Sequence, residues 1–134
     1  MRRLLGILVL PLLLVAVLAA CGDDDAGGGS GGNVYTQAGE QVTVKVGDEF
    51  TIELASTPST GYSWQIAQNP GDQVRLVDED YEAEGDAQPG SSGVQRFVFE
   101  GMKVGTTQLT FSYVRSWETG VAPTDTAAFG VSVN

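Results

Sequence analysis

From Glu40 onward, apolar residues alternate with polar ones in a series of short segments. The repeat is seen in Val42, Val44 and Val46; Phe50, Ile52 and Leu54; Trp64 and Ile66; Val74 and Leu76; Phe97 and Phe99; Leu109, Phe111 and Tyr113; and Phe129, Val131 and Val133. A period of two places one face of a strand in the core and the other in water, and no stretch shows a sustained helical period. The pattern therefore predicts an all-β domain.

Glycine or proline interrupts this alternation in nearly every gap, as turns between strands require. We predict seven strands, at 41–46, 49–55, 63–68, 74–78, 94–100, 106–114 and 127–133. Seven short strands within about 95 residues are typical of an immunoglobulin-like β-sandwich. Trp64, on the third of them, is then expected to be the buried tryptophan of such a sandwich, without a disulfide beside it.

The longer connections of this sandwich are expected at one end. If consecutive strands alternate in direction, segments 56–62, 79–93 and 115–128 meet at that end, whereas the short turns 47–48 and 101–105 lie at the other. A rigid scaffold that carries its elaborate loops at one end is the usual layout of a recognition module.

The first of these loops, 57–62, has a strongly constrained backbone. Pro58 fixes one φ angle, and Gly61 permits a positive one. The small side chains of Ser59 and Thr60 lie between them, so the loop forms a narrow wedge that fits an enzyme cleft closed to bulkier residues. The alternative is a plain turn between two strands.

The other two loops carry weaker signals. The second ends in Gly90, Ser91, Ser92 and Gly93, which by themselves indicate only a flexible loop tip. The third opens with Arg115, Ser116 and Trp117. Tryptophan and arginine dominate interface hot spots, and the planar guanidinium bonds carbonyls or carboxylates and stacks on rings. The alternative is that Trp117 caps the edge of the sandwich.

Together, the three loops resemble the chagasin family of cysteine protease inhibitors. That family has an immunoglobulin-like sandwich with an Asn-Pro-Thr-Thr-Gly-Tyr type loop, a Gly-x-x-Gly loop and an Arg-Pro-Trp type loop, in this order. The resemblance spans roughly 42–133, and it is most specific at Pro58, Thr60, Gly61, Tyr62 and Trp64.

Two positions depart from the family pattern. Thr57 stands where the family usually has asparagine, and Ser116 stands where it often has proline. The first change can loosen the central turn, and the second leaves the third loop more mobile. Both changes bear on potency more than on fold.

The resemblance implies reversible, non-covalent inhibition of papain-like cysteine proteases. The central loop would occupy the cleft with Ser59 and Thr60 nearest the catalytic thiolate, while Trp117 would pack beside the cleft and Arg115 would bond nearby. The Gly-x-x-Gly loop would contact the opposite rim through its backbone. The implied protease-binding residues are Thr57, Pro58, Ser59, Thr60, Gly61, Tyr62, Gly90, Ser91, Ser92, Gly93, Arg115, Ser116 and Trp117.

Composition argues against catalysis and nucleic-acid binding. The 134 residues include 17 acidic and 7 basic side chains and no histidine, a net charge of -10. Such a surface repels phosphates. Without histidine there is no Ser-His-Asp triad and no ordinary zinc site, so we expect no enzyme activity, metal or cofactor. An acidic run between 78 and 86 is expected to be a solvated loop. Its members are Asp78, Glu79, Asp80, Glu82, Glu84 and Asp86.

The N-terminus is typical of an export signal. Arg2 and Arg3 precede an apolar run that ends in Leu-Ala-Ala-Cys, which resembles a bacterial lipoprotein box with Cys21 as the acylated residue. We therefore predict a signal peptide at 1–20, a lipidated cysteine and flexible Gly/Asp/Ser tether at 21–33, and a monomeric domain at 34–134 on the outer face of the bacterial cell membrane.

Two other functions stay open on these residues. One is a cell-surface binding or adhesion module that keeps the sandwich without inhibiting proteases, since fold alone does not determine function. The other is a lipoprotein that binds a partner within its own envelope. An inhibitor, unlike these, should depend on Ser59, Thr60 and Trp117.

Overall fold

The computed structural model describes residues 32–85, 88 and 90–134, which form a two-layer β-sandwich. Its strands are β1 Asn33–Tyr35, β2 Gln41–Val44, β3 Glu49–Ser56, β4 Ser63–Ile66, β5 Val74–Ala83, β6 Gly93–Gly101, β7 Gly105–Val114 and β8 Asp125–Val133. One sheet has the order β1-β3-β6-β5, and the other has the order β2-β8-β7-β4. The predicted immunoglobulin-like sandwich is confirmed, and its seven strands correspond to β2 through β8.

Strand directions place the long loops together, as expected. Strand β6 is antiparallel to both β3 and β5, and β7 is antiparallel to both β4 and β8. Strand β2 runs parallel to β8, and the tight turn that joins β2 to β3 reverses the chain between the two sheets. The β3–β4, β5–β6 and β7–β8 connections therefore share one end of the sandwich.

The core lies between the sheets and is rich in phenylalanine. Phe97 of one sheet lies 4.8 Å, centroid to centroid, from Phe111 of the other, and Phe50 stacks on Phe99 at 5.5 Å. Trp64 is buried as predicted, and its indole N–H donates to the Ala55 carbonyl oxygen at 2.8 Å. Aromatic pairs of this geometry contribute beyond the area they bury.

The structure corrects the prediction for the strand that precedes the second loop. Strand β5 runs to Ala83 rather than ending at 78, so most of the acidic run is strand and not loop. Hydrogen bonds to β6 hold this edge strand, while only Val74 at its start is buried. A β-bulge between Leu76 and Asp78 breaks the alternation, and Leu76, just before it, is 38% exposed.

Two smaller differences concern the first strands. Strand β2 ends at Val44, and Val46, predicted to face the core, is 49% exposed because it lies in the turn beyond the strand. The short strand β1 was not predicted. It pairs in parallel with β3 from Asn33 onward, one residue before the predicted start of the domain.

The predicted signal peptide, Cys21 and most of the tether lie outside the described residues, as does Asp86 of the acidic run. Within the part of the chain that the structure describes, no helix is long and apolar enough to cross a membrane.

Candidate functional site

The first loop is a single 3₁₀ turn closed by its own backbone. The turn spans Pro58–Thr60, with no buried residue in it. The Thr60 N–H donates to the Thr57 carbonyl oxygen at 3.1 Å, and the Gly61 N–H donates to that of Pro58 at 2.8 Å. Gly61 has a φ of 82°, in the left-handed region that favours glycine. The predicted wedge is therefore an exposed tip whose shape is internally fixed.

The Thr57 side chain, which stands where the family usually has asparagine, makes no capping hydrogen bond to this turn. Instead, the Thr60 hydroxyl donates to the Thr57 carbonyl oxygen at 2.7 Å. The brace thus comes from the other end of the loop, and it turns the Thr60 hydroxyl back toward the backbone.

Tyr113, near the end of β7, supports the base of the loop. Its hydroxyl oxygen accepts the Thr57 N–H at 3.0 Å, and its ring stacks on Tyr62 at 5.4 Å. On its other side it lies 4.9 Å from the Trp64 ring. The three rings form a row that connects the loop to the core. The alternation of apolar residues around Tyr113 indicates only core packing, so its place in the site has no signal in the sequence.

Arg115 joins the third loop to the first. Its guanidinium carbon lies 4.4 Å from the centre of the Tyr62 ring, and its Nε donates to the Thr60 carbonyl oxygen at 3.2 Å. Its Nη1 also reaches a carboxylate oxygen of Glu118 at 3.4 Å. In the structure, Arg115, one of the protease-binding residues that the resemblance implies, is thus bonded to its own loops.

Trp117 lies against the first loop and stays largely in solvent. Its turn is closed by the Glu118 N–H, which donates to the Arg115 carbonyl oxygen at 3.1 Å. The indole covers Gly61 so closely that a β-carbon at that position would overlap the ring. The Trp117 side chain is nevertheless 66% exposed, so it does not cap the sandwich edge. An exposed tryptophan beside a rigid wedge is a typical anchor for a partner.

The second loop approaches the first from the other side. The Ser91 N–H donates to the Gln88 carbonyl oxygen at 3.0 Å, and Ser92 accepts the Glu84 N–H at 2.9 Å. A β-carbon placed on Gly90 would lie 4.0 Å from the Ser59 hydroxyl oxygen. The tips of the first two loops are therefore neighbours.

Gly93 has a different position from the rest of its motif. It is buried at the start of β6, and a β-carbon there would collide with the Tyr81 hydroxyl and the Glu82 carbonyl oxygen. We therefore assign Gly93 to packing within the sheet. Gly90, Ser91 and Ser92 form the accessible part of this loop.

The structure thus brings all three predicted loops onto one end of the sandwich. Arg115 and Trp117 lie on one side of the 57–62 loop, and Gly90 lies on the other. Ser116 occupies the second position of the turn that presents Trp117. Among the described residues, no three His, Cys, Asp or Glu side chains are grouped so as to hold a metal ion. The arrangement is suited to binding a concave partner.

Comparisons with known proteins agree with this geometry. The model of the chagasin family peptidase inhibitor I42 matches residues 43–131. Amoebiasin-2 from Entamoeba histolytica is 29% identical over 105 residues, covering 75% of this chain and 85% of that protein. Chagasin from Trypanosoma cruzi is 28% identical over 83 residues, covering 59% of this chain and 76% of that protein.

A solved structure shows the same fold. The crystal structure of the cysteine protease inhibitor EhICP2 from Entamoeba histolytica superimposes with a TM-score of 0.67 at 27% sequence identity. The match covers 76% of this chain and 95% of that one. The family model spans more than half of the sequence and includes all three loops and most of both sheets. The chain belongs to the chagasin family of peptidase inhibitors.

Proposed function

We propose that this domain inhibits papain-like cysteine proteases reversibly and without a covalent bond, by placing the 57–62 loop in the active-site cleft. Membership in a family of inhibitors confirms that the chain is an inhibitor and not an enzyme, and it favours inhibition over a role in adhesion. The observation that carries the mode of action is the exposed, self-braced turn at Pro58–Thr60 with Trp117 and Gly90 on its two sides.

The turn explains why the protease would not cleave its inhibitor. A substrate must present its scissile bond in an extended form, with the carbonyl carbon aligned for attack by the thiolate. Backbone hydrogen bonds within 57–61 hold the loop in a 3₁₀ turn instead. Ser59 and Thr60 would fill the cleft beside the thiolate without offering that alignment, so the complex dissociates with both proteins intact.

The braces of the loop also favour affinity. A loop that is already ordered loses little conformational freedom when it binds. Tyr113, Arg115 and the Thr60 hydroxyl each fix the loop by a hydrogen bond. We therefore assign Arg115 to positioning the wedge, rather than to direct contact with the protease.

The flanking loops would contact the rims of the cleft. The exposed indole of Trp117 would pack on an aromatic or apolar surface at one rim, as hot-spot tryptophans do. Gly90, Ser91 and Ser92 would contact the opposite rim through backbone groups. Three contact regions on one rigid edge define the orientation of the protease.

We further propose that the inhibitor acts as a monomer on the outer face of a bacterial cell membrane. The arginine pair, the apolar run and the Leu-Ala-Ala-Cys sequence support cleavage before Cys21 and acylation of its thiol. The Gly/Asp/Ser segment would then act as a tether that holds the domain off the lipid. Mass spectrometry of the mature N-terminus tests this, since Cys21→Ala should abolish the lipid and release the protein from membranes.

A mass measurement tests the non-covalent mode. Papain is incubated with a molar excess of the domain 32–134, which contains every strand of both sheets. We expect full recovery of papain activity on dilution, an uncleaved inhibitor and no adduct in the mass spectrum. A thioester adduct, or cleavage within 57–62, would show that the loop behaves as a substrate.

A further inference from the structure

A groove beside the wedge is not explained by the three loops. It lies between the 57–62 loop and the edge strand β5, and its volume is about 370 Å³. Pro58 and Tyr81 form its apolar walls, and its polar groups come from Ser56, Ser63, Glu79, Asp80 and Gln95. It is open to solvent on the same end of the sandwich as the candidate site.

The β-bulge in β5 creates this groove. In the register beyond the bulge, Glu79 lies opposite Phe97 and Tyr81 lies opposite Gln95, so both point to the inner face of the sheet. A register without the extra residue would turn these side chains outward. The bulge therefore places an acidic and an aromatic side chain on the inner face.

Gly93 completes the aromatic wall of the groove. Gly93 pairs with Ser56 across the β3–β6 ladder, and a β-carbon at position 93 would collide with the Tyr81 ring. The Tyr81 hydroxyl reaches the Ser91 carbonyl oxygen at 3.5 Å. The ring of Tyr81 is thus held between the second loop and the mouth of the groove.

Ser56 supplies the observation that points to a ligand. Its side chain faces the inner side of the sheet and lines the groove, with the residue only 3% exposed. Its hydroxyl oxygen has no hydrogen-bond partner in the described part of the chain. A buried polar atom without a partner is unfavourable unless something binds to it.

The side-chain amide of Gln95, which also lines the groove, is already hydrogen-bonded and cannot serve as the partner of the Ser56 hydroxyl. Gln95 Oε1 accepts the Trp64 N–H at 2.8 Å, and Gln95 Nε2 donates to the Trp64 carbonyl oxygen at 2.9 Å and to Glu79 Oε1 at 2.8 Å. The last of these bonds holds the Glu79 carboxylate in place by one oxygen, while its second oxygen accepts no bond from Gln95. The groove thus contains a positioned carboxylate and an unpartnered hydroxyl.

Two carboxylates line the groove, and they differ in their partners: Asp80 lies 3.8 Å from Arg96 Nη1, whereas Glu79 forms no salt bridge with any residue that the structure describes. Arg96, the nearest base across the β5–β6 ladder, lies on the outer face, where it binds Glu53 at 2.9 Å and Glu82 at 2.7 Å. These hydrogen bonds, that to Glu53 first, raise the Arg96 pKa above its ordinary value and keep the guanidinium charged and engaged. The carboxylates of Glu53, Asp80 and Glu82 therefore share the Arg96 guanidinium, whereas Glu79 has no cationic partner among the described residues.

We propose that this groove receives a lysine or arginine side chain from the rim of the protease cleft, a role that rests on the proposed function. The aliphatic stem would lie between Pro58 and the Tyr81 ring, and the cationic head would bond to Glu79 and to the Ser56 hydroxyl. A cation also gains from the face of an aromatic ring. Because the groove adjoins the wedge, the basic residue belongs beside the catalytic cleft.

The first test needs no protease. The ¹⁵N-labelled domain 32–134 is titrated with N-acetyl-arginine methylamide and, in parallel, with N-acetyl-norleucine methylamide. We expect saturable shifts of the Gln95 side-chain amide and of the β5 amides with the arginine compound only. The shifts should vanish in Glu79→Gln, which keeps an oxygen for Gln95, and persist in Asp72→Asn, the same charge change at an exposed site before β5.

Ser56→Ala separates ligand binding from packing. The variant should be at least as heat-stable as the wild type, because it loses an unpaired buried hydroxyl, and it should bind the arginine compound more weakly. Equal binding by Ser56→Ala would remove Ser56 from the site. The absence of saturable shifts in the wild type, or equal shifts in Glu79→Gln, would overturn the proposal.

The second test measures inhibition across a panel of papain-like proteases. For at least one protease, Glu79→Gln should raise the inhibition constant by about three- to tenfold at low salt, and the effect should shrink as salt is added. Equal effects of Glu79→Gln and Asp72→Asn on every protease would refute a role in protease binding. If the wild type inhibits none of them, the proposed function fails, while the arginine titration still decides whether the groove binds a cation.

Discussion

The indole of Trp117 lies directly on Gly61, with no space for a β-carbon between them. Fifty-five residues of chain lie between Gly61 and Trp117, yet the third loop packs directly on the backbone of the first. Gly61, with its left-handed backbone (φ of 82°), and the Trp117 ring packed on it therefore form one structural unit. The shape of the wedge and the placement of the exposed anchor depend on each other.

Gly61→Ala tests this unit. We expect a large loss of inhibition, because alanine both strains the positive φ and displaces Trp117. Gly47→Ala is the matched control, since Gly47 has a φ of 91° but open space around it at the other end of the sandwich. Both variants should lose about 1 kcal/mol of stability by thermal unfolding. Equal inhibition by the two variants would show that the contact with Trp117 does not matter.

Trp117→Ala should separate binding from folding. Because the side chain is largely exposed, we expect a change in unfolding free energy within about 0.5 kcal/mol. Loss of a hot-spot tryptophan should weaken inhibition by about 2 kcal/mol or more, roughly 30-fold. Val104→Ala, at an equally exposed apolar residue at the opposite end, should leave the inhibition constant unchanged. If Trp117→Ala retains wild-type inhibition, Trp117 is not an anchor.

Arg115→Lys tests the brace between the first and third loops. A lysine keeps the charge but cannot both stack on Tyr62 and donate to the Thr60 carbonyl oxygen in the same planar geometry. We expect weaker inhibition together with faster hydrogen exchange in 57–62. Arg75→Lys, at an exposed arginine paired with Glu100, is the control and should change neither. Unchanged exchange in Arg115→Lys would mean that another contact orders the loop.

Ser116→Pro should make the domain more stable and its inhibition of papain tighter. Ser116 holds the second position of the Arg115–Glu118 turn, where proline is favoured. A fixed φ there should stabilise the fold by about 0.4–1 kcal/mol and slow dissociation from papain. Surface plasmon resonance with immobilised papain measures the dissociation rate. A faster dissociation would indicate that the turn must adjust when it binds.

Most of the fold follows from the sequence because burial and alternation agree in most strands. Phe50 and Ile52, or Phe129 and Val131, each face the core at a spacing of two, and the two sheets form around them. Pro58 and Gly61 likewise favour, through their own backbone preferences, the turn that the structure shows. These are the positions where local preference and tertiary packing coincide.

The predictions from the sequence are wrong or incomplete where burial no longer follows the alternation of apolar residues. Strand β5 buries only its first residue and contains a bulge, so its extent depends on hydrogen bonds to β6 that no periodicity shows. The bracing roles of Tyr113 and Arg115 depend on contacts between residues about fifty positions apart. Glu79 was assigned to a solvated loop because the bulge that turns it inward has no signature in the sequence.

The most direct test of inhibition is steady-state kinetics of papain with the domain 32–134, for the wild type and for Ser59→Trp. We expect the wild type to inhibit reversibly and in competition with substrate, because the wedge and the substrate occupy the same cleft. The bulky tip of Ser59→Trp should abolish inhibition while the melting temperature stays unchanged, since Ser59 is exposed. Failure of the wild type to inhibit, or undiminished inhibition by Ser59→Trp, would contradict insertion of this loop into the protease cleft.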